Sequence, residues 1–319
     1  MKRLQNKIAE SRFALPVVAV YTAAMWLAGG IIARQQYVEF ALFAVSAYLM
    51  AEMNNRNALI RIYSRMVSCS FLVFGTMAWS ASNLQTSATL DTWLVQLCFI
   101  AAYLTLFSCY QDKRAQGKMF YAFMFIGVAS TLFVQALFFV PLLWLLIGTN
   151  LMAFSGRNFW ASLIGLTLPY WFLGGYCALT GQIDYITAHF APEVWVTPLF
   201  QGIELLKPAT IVTVAFIAVS ALIGIAHFMR NSYKDKIRTR MIYETLITVT
   251  LFCLAFMILQ PCHHANLTGI LAIHAAVLTG HFIALTNTKI TNIAFCLLTA
   301  AAIAITVSNL IMGQQPGES

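Results

Sequence analysis

The feature that most constrains this chain is a succession of apolar blocks with almost no polar alternation inside them. A bilayer core about 30 Å thick needs about 20 apolar helical residues to cross it. Blocks of that kind run over residues 13–33, 37–53, 64–82, 91–110, 119–138, 139–155, 159–180, 209–228, 241–259, 266–286 and 290–311. Strands of a membrane barrel alternate lipid-facing and lumen-facing residues, and these blocks do not. The expectation is an all-α, polytopic transmembrane helix bundle of about eleven spans. Composition agrees: 9% of the 319 residues are charged, whereas a water-soluble domain needs about 25% to cover its surface.

Residues 119–155 are the ambiguous stretch. They give about 55 Å of helix at 1.5 Å per residue, slightly short of two perpendicular crossings, and read as a hairpin turning near Phe139, Val140 and Pro141, either two short spans or a re-entrant pair. Charge favours two spans. A single crossing would carry Arg230, Lys234, Lys236, Arg238 and Arg240 to the outside, against the positive-inside rule. With the N-terminus inside, the inner side collects Lys2, Arg3, Lys7, Arg12, Arg56, Arg61, Arg65, Lys113, Arg114, Lys118, Arg157, those five, and Lys289. Of the 19 Lys and Arg residues, that leaves Arg34 and Lys207 outside. The net charge of +8 therefore reads as an N-in, C-out orientation and not as a nucleic-acid partner.

The N-terminal MKRLQNKIAESR precedes an apolar run too long for the h-region of a signal peptide, about 7–15 residues, so it reads as a retained anchor. Residues 1–319 read as a single integral membrane domain without a soluble one. The seven cysteines show no CxxC; all but Cys262 lie within apolar blocks, which argues against a disulfide framework or a zinc ribbon. The openings RIYSRMVSCSFLVF and RTRMIYETLITVTLF are weakly alike, as basic-aromatic inner helix ends generally are.

Three constellations carry candidate chemistry. Residues 181–208 form an outer amphipathic loop holding Asp184, His189, Glu193, Glu204 and Lys207 among Tyr185, Phe190, Trp195 and Phe200. Its carboxylates suit general-base work on a lipid-linked substrate, and its aromatics equally suit a connector docked in the headgroups. At the inner face, AEMNNRNALIRIYSRM places Arg61 and Arg65 four residues apart, on one helix face, where guanidinium forks hold lipid phosphates or simply mark topology. Arg34 and Lys207 are the outer candidates for a phosphate.

The third group is intramembrane: Glu244, His274 and His281. Glu244 follows Arg240 by one helical turn, the spacing of a local ion pair; facing a cavity instead, it would be a proton or cation site. His263, His274 and His281 follow one stripe, but separations of about 16 and 10 Å along the axis prevent a shared metal, and none is expected. His227 and His281 fall at similar depth, which leaves a bis-histidine haem as the alternative to no cofactor. Gln96, Gln135, Asn150 and Asn292 read as helix-packing polar groups.

Several stretches together carry a resemblance: AEMNNRNALIRIYSR closing the second block, the hairpin GKMFYAFMFIGVASTLFVQALFFVPLLWLLIG, then GRNFWASLIGLTLPYWFLGGY leading into the outer loop. They resemble an uncharacterised family of bacterial polytopic inner-membrane proteins, which implies a multi-pass protein of the cytoplasmic membrane. More remotely, the hairpin, the basic turn and the GLTLP helix are similar to the membrane module of polyprenyl-dependent multi-span glycosyltransferases. That resemblance implies a lipid-phosphate sugar donor at the outer leaflet and a catalytic acid in a large first outer loop. This chain departs there: only Arg34 to Gln36 join the first two blocks, with Glu39 just beyond.

The leading expectation is a cell-envelope role handling a lipid-linked saccharide at the outer leaflet, as a transferase or a non-catalytic relative. Asp184, Glu193 or Glu204 would then serve as base and Arg34 or Lys207 would contact phosphate. The alternatives are a small-solute or ion transporter working through Glu244, His274 and His281, and a subunit of a larger membrane complex.

Overall fold

The computed structural model describes residues 3–60, 63–82, 90–195 and 197–314. Among them every regular element is a helix. In chain order these are α1 (Leu4–Glu10), α2 (Ala14–Ala28), α3 (Tyr37–Asn57), α4 (Arg65–Ser82), α5 (Leu90–Leu106), α6 (Gln116–Leu132), α7 (Phe139–Thr149), α8 (Gly156–Thr180), α9 (Ile183–His189), α10 (Pro192–Trp195), α11 (Pro208–Asn231), α12 (Ile237–Leu259), α13 (His264–Leu285) and α14 (Lys289–Gln314). Every apolar block of the sequence is thus a helix, with ends displaced by a few residues.

Among the described residues six helical stretches are long and apolar enough on their own to cross a membrane, and seven if α1 and α2, bent by 92°, count as one. These are α5 with its 3-10 extension, α8, α11, α12, α13 and α14. Length and composition explain the smaller count. α2, α6 and α7 have 15, 17 and 11 residues, short of the about 20 a perpendicular crossing needs. The last turns of α3 hold Glu52, Asn54, Asn55, Arg56 and Asn57, and α4 is rich in serine, so both average as less apolar than their cores.

α13 is the hub. Its residues from Leu267 to Phe282 are all buried, packed by α4, α5, α11 and α12. A helix that is apolar all round belongs in such a place. At the periphery, α8 and α14 turn large apolar side chains outward, including Trp171, Leu179 and Ile290. Soluble proteins do not expose apolar faces of that extent, and lipid is the solvent that tolerates them.

Side-chain ties define two ends of the bundle. At one end Arg238 Nη2 donates to Asn57 Oδ1 (2.9 Å) and Phe107 O (3.3 Å), and Arg65 Nη1 to Ser11 O (3.1 Å). There the Gln5 amide donates to Ile283 O (2.8 Å) and to Thr286 Oγ1 (2.6 Å), which pins α1 across the foot of α13. At the other end Trp79 Nε1 reaches Gln36 (3.2 Å), and Asn309 Nδ2 reaches both Ser80 and Thr213 (3.2 and 3.1 Å).

The 119–155 region is a hairpin that returns to where it began. Gln111 N donates to Leu151 O (2.8 Å), and Asn158 Nδ2 donates to Asp112 O (3.1 Å) and Ala153 O (2.7 Å). α6 and α8 consequently run side by side in the same direction, Gly165 facing Phe120 and Gly127 facing Leu166. The turn lies at extended Phe133, followed by a 3-10 turn, Val134–Phe138, six to eight residues before the Phe139–Pro141 position that the sequence suggested. Pro141 instead occupies the first turn of α7, where its missing N–H costs no hydrogen bond.

Candidate functional site

The outer-loop acids come first, because the sequence singled them out. α9, α10 and a 3-10 turn at Ile203–Leu205 carry Asp184, Glu193 and Glu204, and all three are exposed. The loop is docked through other groups. His189 Nε2 lies 3.0 Å from Ser130 O, beside Tyr170 OH donating to Ser130 Oγ (2.8 Å). Gln135 Nε2 donates to Val194 O (2.6 Å), and Phe200 N to Leu259 O (2.9 Å). Trp195 packs edge-on to Phe138 at 5.8 Å. These contacts seat the loop on the tips of α6 and α12 while leaving its carboxylates in the surroundings.

Arg34 and Lys207, the outer phosphate candidates, are exposed. Glu244 forms the local pair with Arg240, at 3.8 Å, both side chains about two-fifths exposed. Arg61 lies outside the described residues. Glu52 is paired with Arg56 on the last turns of α3.

His274 is sealed in the core. Its Nε2 is 2.9 Å from Tyr103 OH on α5, and neither residue is exposed. The bond joins α5 to α13, the usual work of an intramembrane histidine.

His281 is different. Its Nε2 lies 3.2 Å from Asp235 Oδ2 and its Nδ1 3.4 Å from His227 Nδ1. The cluster joins α11, α13 and the short connection before α12, walled by Phe228, Tyr243 and Phe282. His281 is 1% exposed and Asp235 17%, while His227 is half-buried. The two imidazole centroids are 5.3 Å apart with planes inclined at 52°, so no macrocycle fits between them in this arrangement. Among the described residues no group of three or more His, Cys, Asp or Glu side chains converges as a metal site. Asp235 is absent from the sequence-based expectations; as the single acid within RNSYKDKIRTR, it was the available signal.

A groove of about 470 Å³ lies between α2, α4, α11, α13 and α14, bounded at one end by α1. That size falls within the roughly 300–1,000 Å³ of small-molecule sites. Its walls include Val17, Val18, Val73, Phe74, Phe216, Phe295, Leu298 and Ile303. Three of the hydroxyls in the lining are spent on backbone: Ser220 donates to Phe216 O (2.8 Å), Thr279 to Ser220 O (3.2 Å) and Thr299 to Phe295 O (2.9 Å). Such a lining suits hydrocarbon rather than sugar.

Charge gathers at the α1 end of this groove. Ser11 and Phe13 belong to the lining; Arg65 donates to Ser11 O at 3.1 Å, and the Arg12 guanidinium sits 4.9 Å above the Phe13 ring. Glu10, bonded by Tyr63 OH at 2.8 Å, is the acid beside them. Of the phosphate candidates among the described residues, Arg65 is the one that contacts a groove-lining residue, Ser11. A smaller cavity of about 40 Å³, lined by Trp79, Trp93, Gln96, Thr210 and His264, has room for a water or two. Asp184, Glu193 and Glu204 line neither space.

Comparison with known proteins gives no match to a family model, to a curated protein or to a solved structure.

Proposed function

We propose that the chain is an eleven-crossing protein of the bacterial inner membrane, N-terminus inside and C-terminus outside, that handles an anionic envelope lipid of the lipid-linked saccharide class. The reading is the non-catalytic one: the protein holds the lipid by its hydrocarbon chain and phosphate. One observation carries it, the apolar groove at whose α1 end Arg65 and Arg12 contact the lining residues Ser11 and Phe13.

The orientation draws on the end of the bundle where Arg65, Lys118 and Arg238 are tied. It is the end to which alternating crossings assign the basic residues, as a cytoplasmic face requires. The lipid reading also draws on the resemblance to the polyprenyl-dependent module. With the groove at the basic end, the reading has the lipid held from the inner leaflet, across the membrane from the outer loop and not at the outer leaflet that the sequence suggested. The transporter alternative loses two of its three motivating residues to local roles, Glu244 at the edge and His274 against Tyr103.

Native mass spectrometry of the full chain released from gentle detergent tests the reading. The expected spectrum shows one anionic lipid per chain. Charge-assisted contacts contribute about 1.5–3 kcal/mol each, so Arg12→Glu with Arg65→Glu is expected to cut the retained fraction about tenfold or more. The triple variant Asp184→Asn, Glu193→Gln, Glu204→Gln is expected to retain as much lipid as the parent. Equal retention in the arginine variant, or loss in the acid variant alone, would overturn the assignment.

A further inference from the structure

The groove leaves Asp235, His281 and His227 unused, and these three titratable groups form an unbroken hydrogen-bonded chain. Asp235 Oδ2 accepts from Nε2 of His281 at 3.2 Å, and Nδ1 of His281 meets Nδ1 of His227 at 3.4 Å. A neutral imidazole carries one N–H and one lone pair. With its N–H committed to the carboxylate, neutral His281 can only accept at Nδ1. His227 therefore donates from Nδ1 and keeps the lone pair of its Nε2. Of the two rings His227 is the accessible one, half-buried where His281 is 1% exposed.

Such a chain accepts one proton without losing a bond. A proton taken up at Nε2 of His227 lets the proton on Nδ1 of His227 cross to Nδ1 of His281. His227 is left neutral with its N–H at Nε2. His281 becomes an imidazolium that donates to Asp235 from Nε2 and to His227 from Nδ1, so the charge rests on the ring that faces the carboxylate. A second proton would set two Nδ1–H groups against each other, and the coupled pair stops at one.

Few other charges face the chain. α12 presents Tyr243 and α11 presents Phe228. α1 and α4 meet this end of α13 through Gln5, Met66 and Val67, and α5 meets it farther along, at His274. Lys234, next to Asp235, has its ammonium engaged by Asn231 Oδ1 at 3.1 Å. Arg230 is exposed, and Arg238 is tied to Asn57 and Phe107 O.

We propose that Asp235, His281 and His227 are a one-proton site at the basic end of the bundle, which takes a proton at His227, stores it on His281 and so switches the charge at the junction of α11, α13 and the connection into α12. That is the arrangement of a histidine pH sensor. It is independent of the lipid reading.

The test is imidazole ¹⁵N NMR of the full chain, labelled at histidine and assigned by correlation from ring to backbone, from about pH 8 to about pH 5, which brackets the ordinary imidazole value of about 6.5. At the alkaline end His281 is expected to carry a proton at Nε2 alone and His227 at Nδ1 alone. On acidification His281 is expected to gain its second proton in the same step in which the His227 proton moves from Nδ1 to Nε2, with one shared midpoint. Asp235→Asn keeps an acceptor and removes the charge, and is expected to lower that midpoint by about one pH unit or more, a loss of about tenfold or more in proton affinity. His281 remaining neutral throughout, or the two rings titrating separately, would overturn the proposal from the unaltered chain alone. A midpoint unmoved by Asp235→Asn would overturn it as well.

Discussion

Replacing Gly165 by leucine is expected to abolish the folded protein. A Cβ built at this position would stand 2.2 Å from Phe120 O and 3.0 Å from Phe120 C. Both neighbours are backbone, so no rotamer change on α6 relieves the contact, and the two helices must part along the whole interface. In lipid, helix association depends on such close approach because the solvent offers no hydrophobic driving force. Core overpacking ordinarily costs about 1–3 kcal/mol where side chains can yield, and backbone cannot. Gly165→Ala is therefore expected to lower the melting temperature, and Gly165→Leu to leave no monodisperse peak in size-exclusion chromatography. Gly175→Ala, on the same helix with nothing within 4 Å of a built Cβ, is expected to behave as the parent. Leucine at 165 with an unchanged profile would refute the parallel packing of α6 and α8.

The second large effect is expected at Trp26. Its ring is wholly buried, stacked on Trp79 at 4.2 Å and 10°, with Phe40 at 5.2 Å and Trp93 at 5.6 Å. These rings join α2, α3, α4 and α5 at one point. Truncation of a buried aromatic to alanine costs about 3–5 kcal/mol through lost contacts and the remaining cavity. Trp26→Ala is therefore expected to lower thermal stability more than any single substitution in the outer loop. Trp26→Phe should cost much less, since the indole N–H has no hydrogen-bond partner among the described residues, and phenylalanine removes that buried donor. If alanine and phenylalanine behave alike, the ring cluster is not what holds α2 in place.

Much of this architecture is readable in the chain because lipid imposes a simple rule on backbone: a block about 20 residues long and apolar throughout must be a helix. The blocks accordingly match α2 to α8 and α11 to α14 within a few residues. Where proline was taken as the turn, the estimate slipped. Pro141 lies in the first turn of α7, and the break belongs to Phe133, whose extended backbone no residue pattern announces.

The candidate sites divide differently. His227 and His281 could be related by depth alone, and they do meet. Asp235 was hidden because it stands in a basic run whose evident purpose is topology. The groove was not legible at all. Its walls come from segments as far apart as Ile8 and Ile303, and they use the same valine, phenylalanine and leucine that face lipid elsewhere. Conversely, the outer carboxylates are conspicuous in composition yet exposed, and they line neither cavity. A single loop supplies residue types, but convergence needs elements that pack around a cavity, and Asp184, Glu193 and Glu204 sit on the loop's exposed side.

The lipid assignment meets its most direct test in a phospholipid or polyprenyl phosphate bearing a photoactivatable group in its chain, reconstituted with the full protein and mapped by peptide mass spectrometry. Every outward helix face touches lipid, so the informative quantity is the distribution of adducts. Concentration on Val17 to Tyr21 of α2 and Phe295 to Ile303 of α14, lost when Ser220 or Val73 is enlarged to tryptophan, is the result expected of an occupied groove. Adducts spread evenly, or gathered on the exposed face of α8 around Trp171 and Leu179, would contradict it.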